Sequence, residues 1–242
     1  MFNNLKNKIH ILQNVYIKNR YFLKRETFAM DGEDIAIKRY AEKIKNGIYV
    51  DVGAHHPIQR NNTHLLYKSG WRGVNIDINK FSIDLFNFLR PDDYNILSAI
   101  SDNNDEIDVF FQKEFSQLNT TDLNLAKEHF DNNFKTKRIK CQTLNSLLEK
   151  SKYKKTKIDL INIDVEGAEM KVLKDFDFKT YDPKIICVEI LGYRHIDNLS
   201  EKESEIKNNE IYKFLSEKKY KKVWSGSSFC SHLFVKWLRI RK

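Results

Sequence analysis

Three prolines, eight glycines and three cysteines are all that 242 residues hold of the types that bend, staple or soften a chain. Each shortage excludes something. The cysteines (Cys141, Cys187 and Cys230) are odd in number and show no paired spacing, which argues against a disulfide framework or a zinc site and for a reducing compartment. No apolar run approaches the ~18 residues of a spanning helix, and the N-terminus has no signal-peptide core, so a cytoplasmic location is expected. Disorder is excluded too, because apolar residues make up 41% and aromatic residues 12% of the chain. With so few glycines, each one that does occur carries positional meaning.

Lysine and arginine (42) exceed aspartate and glutamate (33), a net charge of +9. That balance admits nucleic acid, an anionic membrane surface or a phosphorylated small substrate as partner. Lysine is nevertheless spread along the chain, and much of it reads as solvated helix face.

The pattern divides the chain into an N-terminal helical extension, 1–46, and an alternating α/β domain, 47–242. In the extension, Phe2, Leu5, Ile9, Leu12 and Tyr16 recur at helical spacing among Lys6, Lys8, Lys18, Arg20, Lys24 and Arg25. Such a basic amphipathic helix packs on its own domain or on a partner subunit, or lies on a membrane surface. A second helix is expected over 31–45, with acids in its first turn. Strands are expected at 48–53, 73–78, 94–100, 106–111, 158–163, 184–190, 220–225 and 231–237. Helices are expected over 61–69, 80–90, 167–174 and 202–218, and 112–136 reads as a variable loop or helical insertion. The closing pair of strands resembles a hairpin, so one of them should run antiparallel to an otherwise parallel sheet.

The chemistry concentrates in Ile48-Tyr-Val-Asp-Val-Gly-Ala-His-His-Pro57, a buried strand entering a glycine turn. The next strand ends in Asp77, 26 residues after Asp51, near the ~20-residue spacing of an acid that grips a ribose. In a doubly wound sheet ligands bind at the C-terminal strand ends, and acids recur there: Asp51, Asp77, Asp102, Asp164, Glu166 and Glu189. Converging carboxylates repel one another and lose hydration, a cost that a cationic ligand offsets. The turn has only Gly53 where a pyrophosphate asks for G-x-G-x-x-G, and Asp51 sits beside it. A ligand carrying an amino group and a sulfonium fits better than a dinucleotide.

These residues, together with Gly32-Glu-Asp34, Asn62-Thr63, Gly70-Trp-Arg-Gly73, Ala99-Ile-Ser-Asp102 and Ile163-Asp-Val-Glu-Gly-Ala-Glu169, closely resemble the FkbM family of S-adenosylmethionine-dependent methyltransferases over about 28–237. The resemblance implies a Rossmann-like class I methyltransferase fold, with a seven-stranded, mostly parallel sheet, an antiparallel last strand and helices on both faces. It also implies S-adenosyl-L-methionine as cofactor and O-methylation, commonly of sugars in bacterial surface polysaccharides such as capsule or O-antigen. Two positions depart from the family: His55-His56-Pro57 stands for the commoner Asn-x-Gly turn, and Met30-Asp31 for a Ser-Gln or Gln-Glu pair.

The expected roles follow. Asp51 and Gly53, with Ala54, line the methionine end; Asp77 accepts the ribose hydroxyls; Ser101 and Asp102 meet the adenine amino group. Asp164 and Glu166 flank the reaction edge, Asp164 also serving the cofactor. Methyl transfer to a hydroxyl needs alignment and a base, for which His55, His56 and His195 are candidates. No metal site is expected, because no D-x-D or His pair at ligand spacing follows the fourth strand. The expected partner is a small-molecule or glycan-precursor substrate rather than nucleic acid; peripheral membrane contact through the basic helix and a homodimer are further options. The rival readings are a nucleic-acid-binding or -modifying protein, an NAD-dependent oxidoreductase, and a glycosyltransferase using Asp175-Phe-Asp177.

Overall fold

A computed structural model of the chain describes residues 2–102, 105–113, 118–191 and 196–237, with residues 2–4 as backbone only. The chain opens with helix α1 (Phe2–Leu12), which widens into a π-helical turn (Gln13–Lys18), and continues through α2 (Glu33–Tyr40). The alternating part comprises β1 (Ile48–Val52), α3 (His64–Lys68), β2 (Arg72–Asp77), α4 (Lys80–Leu89), β3 (Tyr94–Leu97) and β4 (Ala99–Ile100). After β5 (Glu106–Phe111), α5 (Leu123–Phe130), β6 (Lys135–Gln142) and α6 (Leu144–Glu149) come β7 (Leu160–Ile163), α7 (Glu169–Asp175), α8 (Phe178–Tyr181) and β8 (Ile185–Glu189). Helices α9 (Leu199–Asn208) and α10 (Glu210–Glu217) precede β9 (Tyr220–Ser225) and β10 (Ser231–Lys236).

Seven strands form one sheet in the order β3-β2-β1-β7-β8-β10-β9. The pairs from β3 through β8 are parallel, and β10 runs antiparallel to both of its neighbours. The central strands are buried on both faces, which is why β1, β7 and β8 read as near-continuous apolar runs rather than alternating ones. One face packs Val50, Val52 and Ile161 against Leu147, Leu173 and Leu215 from α6, α7 and α10. The other packs Tyr49, Leu160 and Cys187 against Ile37, Leu66 and Trp71.

Three boundaries differ from the sequence pattern, each for a local reason. The strand expected over 94–100 breaks at Ser98, whose N–H goes to the Asp77 carbonyl; beyond it, β4 leaves for a second sheet ordered β4-β6-β5. Strand β6 starts at the last two residues of the segment read as loop or insertion and runs on through residues given no element, because Lys135–Lys140 pairs with β5 while facing mostly solvent, so little apolar alternation marks it. The helix expected over 202–218 is two helices, broken where Asn209 turns extended and its side chain caps α10 at the Ile211 N–H.

The N-terminal stripe needs a correction. Leu5, Ile9, Leu12 and Tyr16 face outward. The opposite side of α1 meets the domain, with Ile11 and Val15 packed among Phe28, Ile58 and Leu85. On that side His10 also stacks on Phe81 with ring centroids 4.2 Å apart.

Candidate active site

A cavity of about 290 Å³ opens at the C-terminal ends of β1, β2, β7 and β8. Gly53, Asp77, Asp164, Glu166 and Glu189 line it from the strand ends, and Asn119, Thr121 and His129 from around α5. Glu33 and Ser231 also line it, joined by the Ser231 hydroxyl, which donates to Glu33 at 2.8 Å. Gly53 has φ +79°, and a Cβ on it would overlap the Asp164 carbonyl oxygen. Glycine is therefore what lets the turn after β1 pass against the exit of β7.

Asp77 closes β2 inside the cavity. One carboxylate oxygen accepts the His55 N–H at 2.7 Å and the other the Asn79 N–H at 2.7 Å. Burial, against those two bonds, raises its pKa to about 6. The carboxylate is thus fixed in orientation, and each oxygen keeps a second lone pair for a ligand hydroxyl.

The other end of the cavity is acidic. One carboxylate oxygen each from Asp164, Glu166 and Glu189 lie within 4.8 Å of one another. Burial first, then the neighbouring carboxylates, lifts Asp164 well above the usual range and pushes Glu189 up to about 11. Glu189 Oε2 is buried without a hydrogen-bond partner among the described residues. The loop that presents these groups is tightly held: Glu169 accepts the Val165 and Gly167 N–H groups, and the Thr120 hydroxyl donates to the Glu166 carbonyl at 2.5 Å. Of the acids read along the sequence as converging on one sheet edge, those at the ends of β7 and β8 meet here. The absence of a metal was expected from spacing along the chain alone; in space, the three carboxylates suit a positive charge, organic or metallic.

Several expected ligand contacts are displaced. Asp51 lies beneath the cavity, its oxygens taken by the Asn162 amide at 2.8 Å, the Thr63 hydroxyl at 2.7 Å and the Asn61 amide at 3.4 Å. It holds the floor of the site and does not line it. Ala54 is buried, its N–H given to the Ile76 carbonyl. Ser101 and Asp102 pair with each other outside the lining, and Ser98, Ala99 and Ile100 take their place because β3 ends three residues earlier than the apolar pattern implied.

Of the histidines, His55 lines the cavity, but burial and then Arg60 lower its pKa to about 4, so it stays neutral and is a weak base. His56 points away. Its Nδ1 accepts the Ile58 and Gln59 N–H groups at 3.0 Å, which leaves Nε2 to donate to Asn14 Oδ1 at 2.8 Å. The unusual His-His-Pro turn thereby fastens the π-helical turn to the site. The other departure, Asp31, accepts the Ser228 N–H at 2.7 Å and ties the β9–β10 connection to the start of α2. His195 lies outside the described residues.

Sequence reasoning missed Arg90, which is fully buried behind the turn. It donates to the Pro57 carbonyl at 2.6 Å, Asn61 Oδ1 at 2.7 Å and Thr63 Oγ1 at 2.9 Å, and stacks near Tyr67 and Phe86. Its position at the end of an amphipathic helix gave no sign of burial. Asp177, of the rival Asp-Phe-Asp motif, caps α8 at the Lys179 and Thr180 N–H groups.

The strand order and the cavity at the carboxyl edge define a Rossmann-like class I methyltransferase fold. The model of the FkbM methyltransferase domain matches residues 51–222, and the chain belongs to that family of S-adenosylmethionine-dependent methyltransferases. Among solved structures, the FkbM methyltransferase of Methylobacillus flagellatus is 11% identical with TM-score 0.44, the match covering 96% of this chain and 59% of that one. A TehB-like SAM-dependent methyltransferase of Corynebacterium glutamicum is 12% identical with TM-score 0.43, over 98% of this chain and all of that one. A Pyrococcus horikoshii protein described as an RNA methyltransferase is 10% identical with TM-score 0.42, over 85% and 82%. At such scores none of the three bears on the chemistry of this chain. No curated protein matches the sequence.

Proposed function

We propose that the chain moves a methyl group from S-adenosylmethionine to a sugar hydroxyl of a glycan precursor in surface-polysaccharide biosynthesis, in the cytoplasm. The observation that carries this reading is the cavity's polarity: one buried, fixed carboxylate at Asp77 and, opposite, the crowded Asp164, Glu166 and Glu189. Asp77 suits the ribose hydroxyls. The buried Glu189 oxygen, which has no hydrogen-bond partner among the described residues, and its neighbours suit the positive end of the donor. Bound there, S-adenosylmethionine supplies a methyl group already activated on a cationic sulfur.

The protein's own part is then alignment and removal of one proton. Burial and the neighbouring carboxylates make Asp164 a stronger proton acceptor than His55, whose pKa has been driven down. Asp164 and Glu166 are therefore assigned to the base and to acceptor orientation. Asn119, Thr121 and Ser231 add short polar side chains of the kind that read sugar hydroxyls. All three cysteines are buried, and their odd number suits a reducing compartment.

The test is methyl-labelled donor with nucleotide-linked sugars, a free carboxylic acid and an RNA oligonucleotide as acceptors. Alkali-stable label on the sugar is the expected result. Label lost in base, as from an ester, or carried only by RNA would sink the reading.

A further inference from the structure

The protein's positive charge is concentrated at one end. Lys6, Lys8, Lys18, Arg20, Lys24 and Arg25 all precede the first acid, Glu26, whereas the remaining residues hold 36 lysines and arginines against 33 acids. Six of the nine net charges therefore lie within the first 25 residues.

The same segment carries exposed apolar side chains on the face turned away from the domain. At 3.6 residues per turn, Leu5, Ile9 and Leu12 fall on one line, with Lys6 and Lys8 to either side of it. Ile17 is 70% exposed, Phe22 69% and Leu5 57%. The inner face is already occupied by the Ile11 and Val15 packing, by the stacking of His10 on Phe81, and by Asn7 donating to Asp84 at 2.9 Å. The outer face is thus held in place by the fold, so using it requires no rearrangement.

We propose that this face docks on an anionic lipid bilayer, the Leu5–Ile17 stripe entering the headgroup boundary while the flanking cations meet lipid phosphates. No described helix is long and apolar enough to cross a membrane, so the contact lies along the surface. Charge selects this occupant. A second copy joined through the same patch would set six cations against six, and a nucleic acid would leave Ile17 and Phe22 without a use. The proposal stands apart from the methyl-transfer reading, since neither requires the other.

The experiment is flotation of the full chain with vesicles of phosphatidylcholine alone or mixed with phosphatidylglycerol. Binding is expected to the mixed vesicles only, weakening with salt. Each of Lys6→Ala and Lys8→Ala should lower partitioning by about fivefold. Ile17→Glu should lower it by roughly tenfold or more, with melting temperature and S-adenosylhomocysteine affinity unchanged because the side chain is exposed. Equal binding to both vesicle types, binding to neither, or loss of the effect in a dimer seen by light scattering would overturn the proposal. So would an RNA oligonucleotide that binds through these lysines with no dependence on Ile17.

Discussion

Replacing Asp77 with Asn removes one negative charge from the cavity while keeping nearly the same shape. The carboxylate already serves two backbone N–H groups, so its remaining lone pairs are what a ribose would use. A hydrogen bond to a charged acceptor contributes about 1 kcal/mol more than one to a neutral acceptor. Two hydroxyls then lose about 2 kcal/mol, roughly 30-fold in affinity. The wild type should also show a pH limb. With a pKa of about 6 in the ligand-free protein, Asp77 binds a proton as the pH falls below that value, and the ligand must displace it. The ionised fraction drops from about nine-tenths at pH 7 to about one-tenth at pH 5, so affinity for S-adenosylhomocysteine should weaken about tenfold over that span. Titration calorimetry with Asp77→Asn should show the weaker binding and the loss of that limb. The sign for stability runs the other way. The raised acid makes the ligand-free fold firmer as pH falls toward 4; Asp77→Asn should lose that rise, the relief of a buried charge being offset by its amide NH2 meeting one of the two backbone N–H groups. Wild-type affinity in the variant, with its limb near pH 6 intact, would refute the ribose assignment.

Further outcomes follow from the other groups. Arg90→Met strands the acceptors gathered behind the turn and should cost about 3–5 kcal/mol by chemical denaturation, with Arg90→Lys failing to restore it because ammonium lacks the planar fork; a loss under about 1 kcal/mol would show that the network relaxes. Gly53→Ala pushes a methyl group into the Asp164 carbonyl oxygen and should destabilise by on the order of 3 kcal/mol, so an unchanged melting temperature would mean that the close approach is not rigid. Binding of the cationic donor near neutral pH should release protons from the acidic end, because a nearby positive charge lowers the raised pKa values of Asp164 and Glu189. Calorimetry in two buffers of different ionisation heat reads this directly; affinity should rise with pH, S-adenosylhomocysteine should release fewer protons, and equal heats in both buffers would contradict it.

The main sheet was legible because its strands are buried on both faces and announce themselves as apolar runs, as in Ile185–Val188. Strand β6 was not, since a ribbon that faces solvent and pairs only through backbone has no side-chain period to read. The candidate site divides the same way. Gly53, Asp77, Asp164 and Glu166 stand at strand ends, where position along the chain fixes position in space. Asp51 has the same sequence signature, yet its pleat direction and its neighbours Thr63 and Asn162 turned it into a support. Ser101 failed for a smaller reason: the chain leaves the sheet at Ser98, and a shift of three residues moved the cavity wall to Ser98–Ile100. Arg90 and His129 depend on contacts between distant segments, which no local pattern carries.

The hold of His56 on Asn14 has a practical outcome for anyone shortening this chain. Cutting before Gly47 would strip Ile11, Val15 and Phe28 from around Ile58 and Leu85 and leave an imidazole hydrogen aimed at nothing. The trimmed molecule would keep every residue assigned to catalysis, but the bend after β1 would rock freely. Its weakness would surface as poor donor retention rather than as slow chemistry.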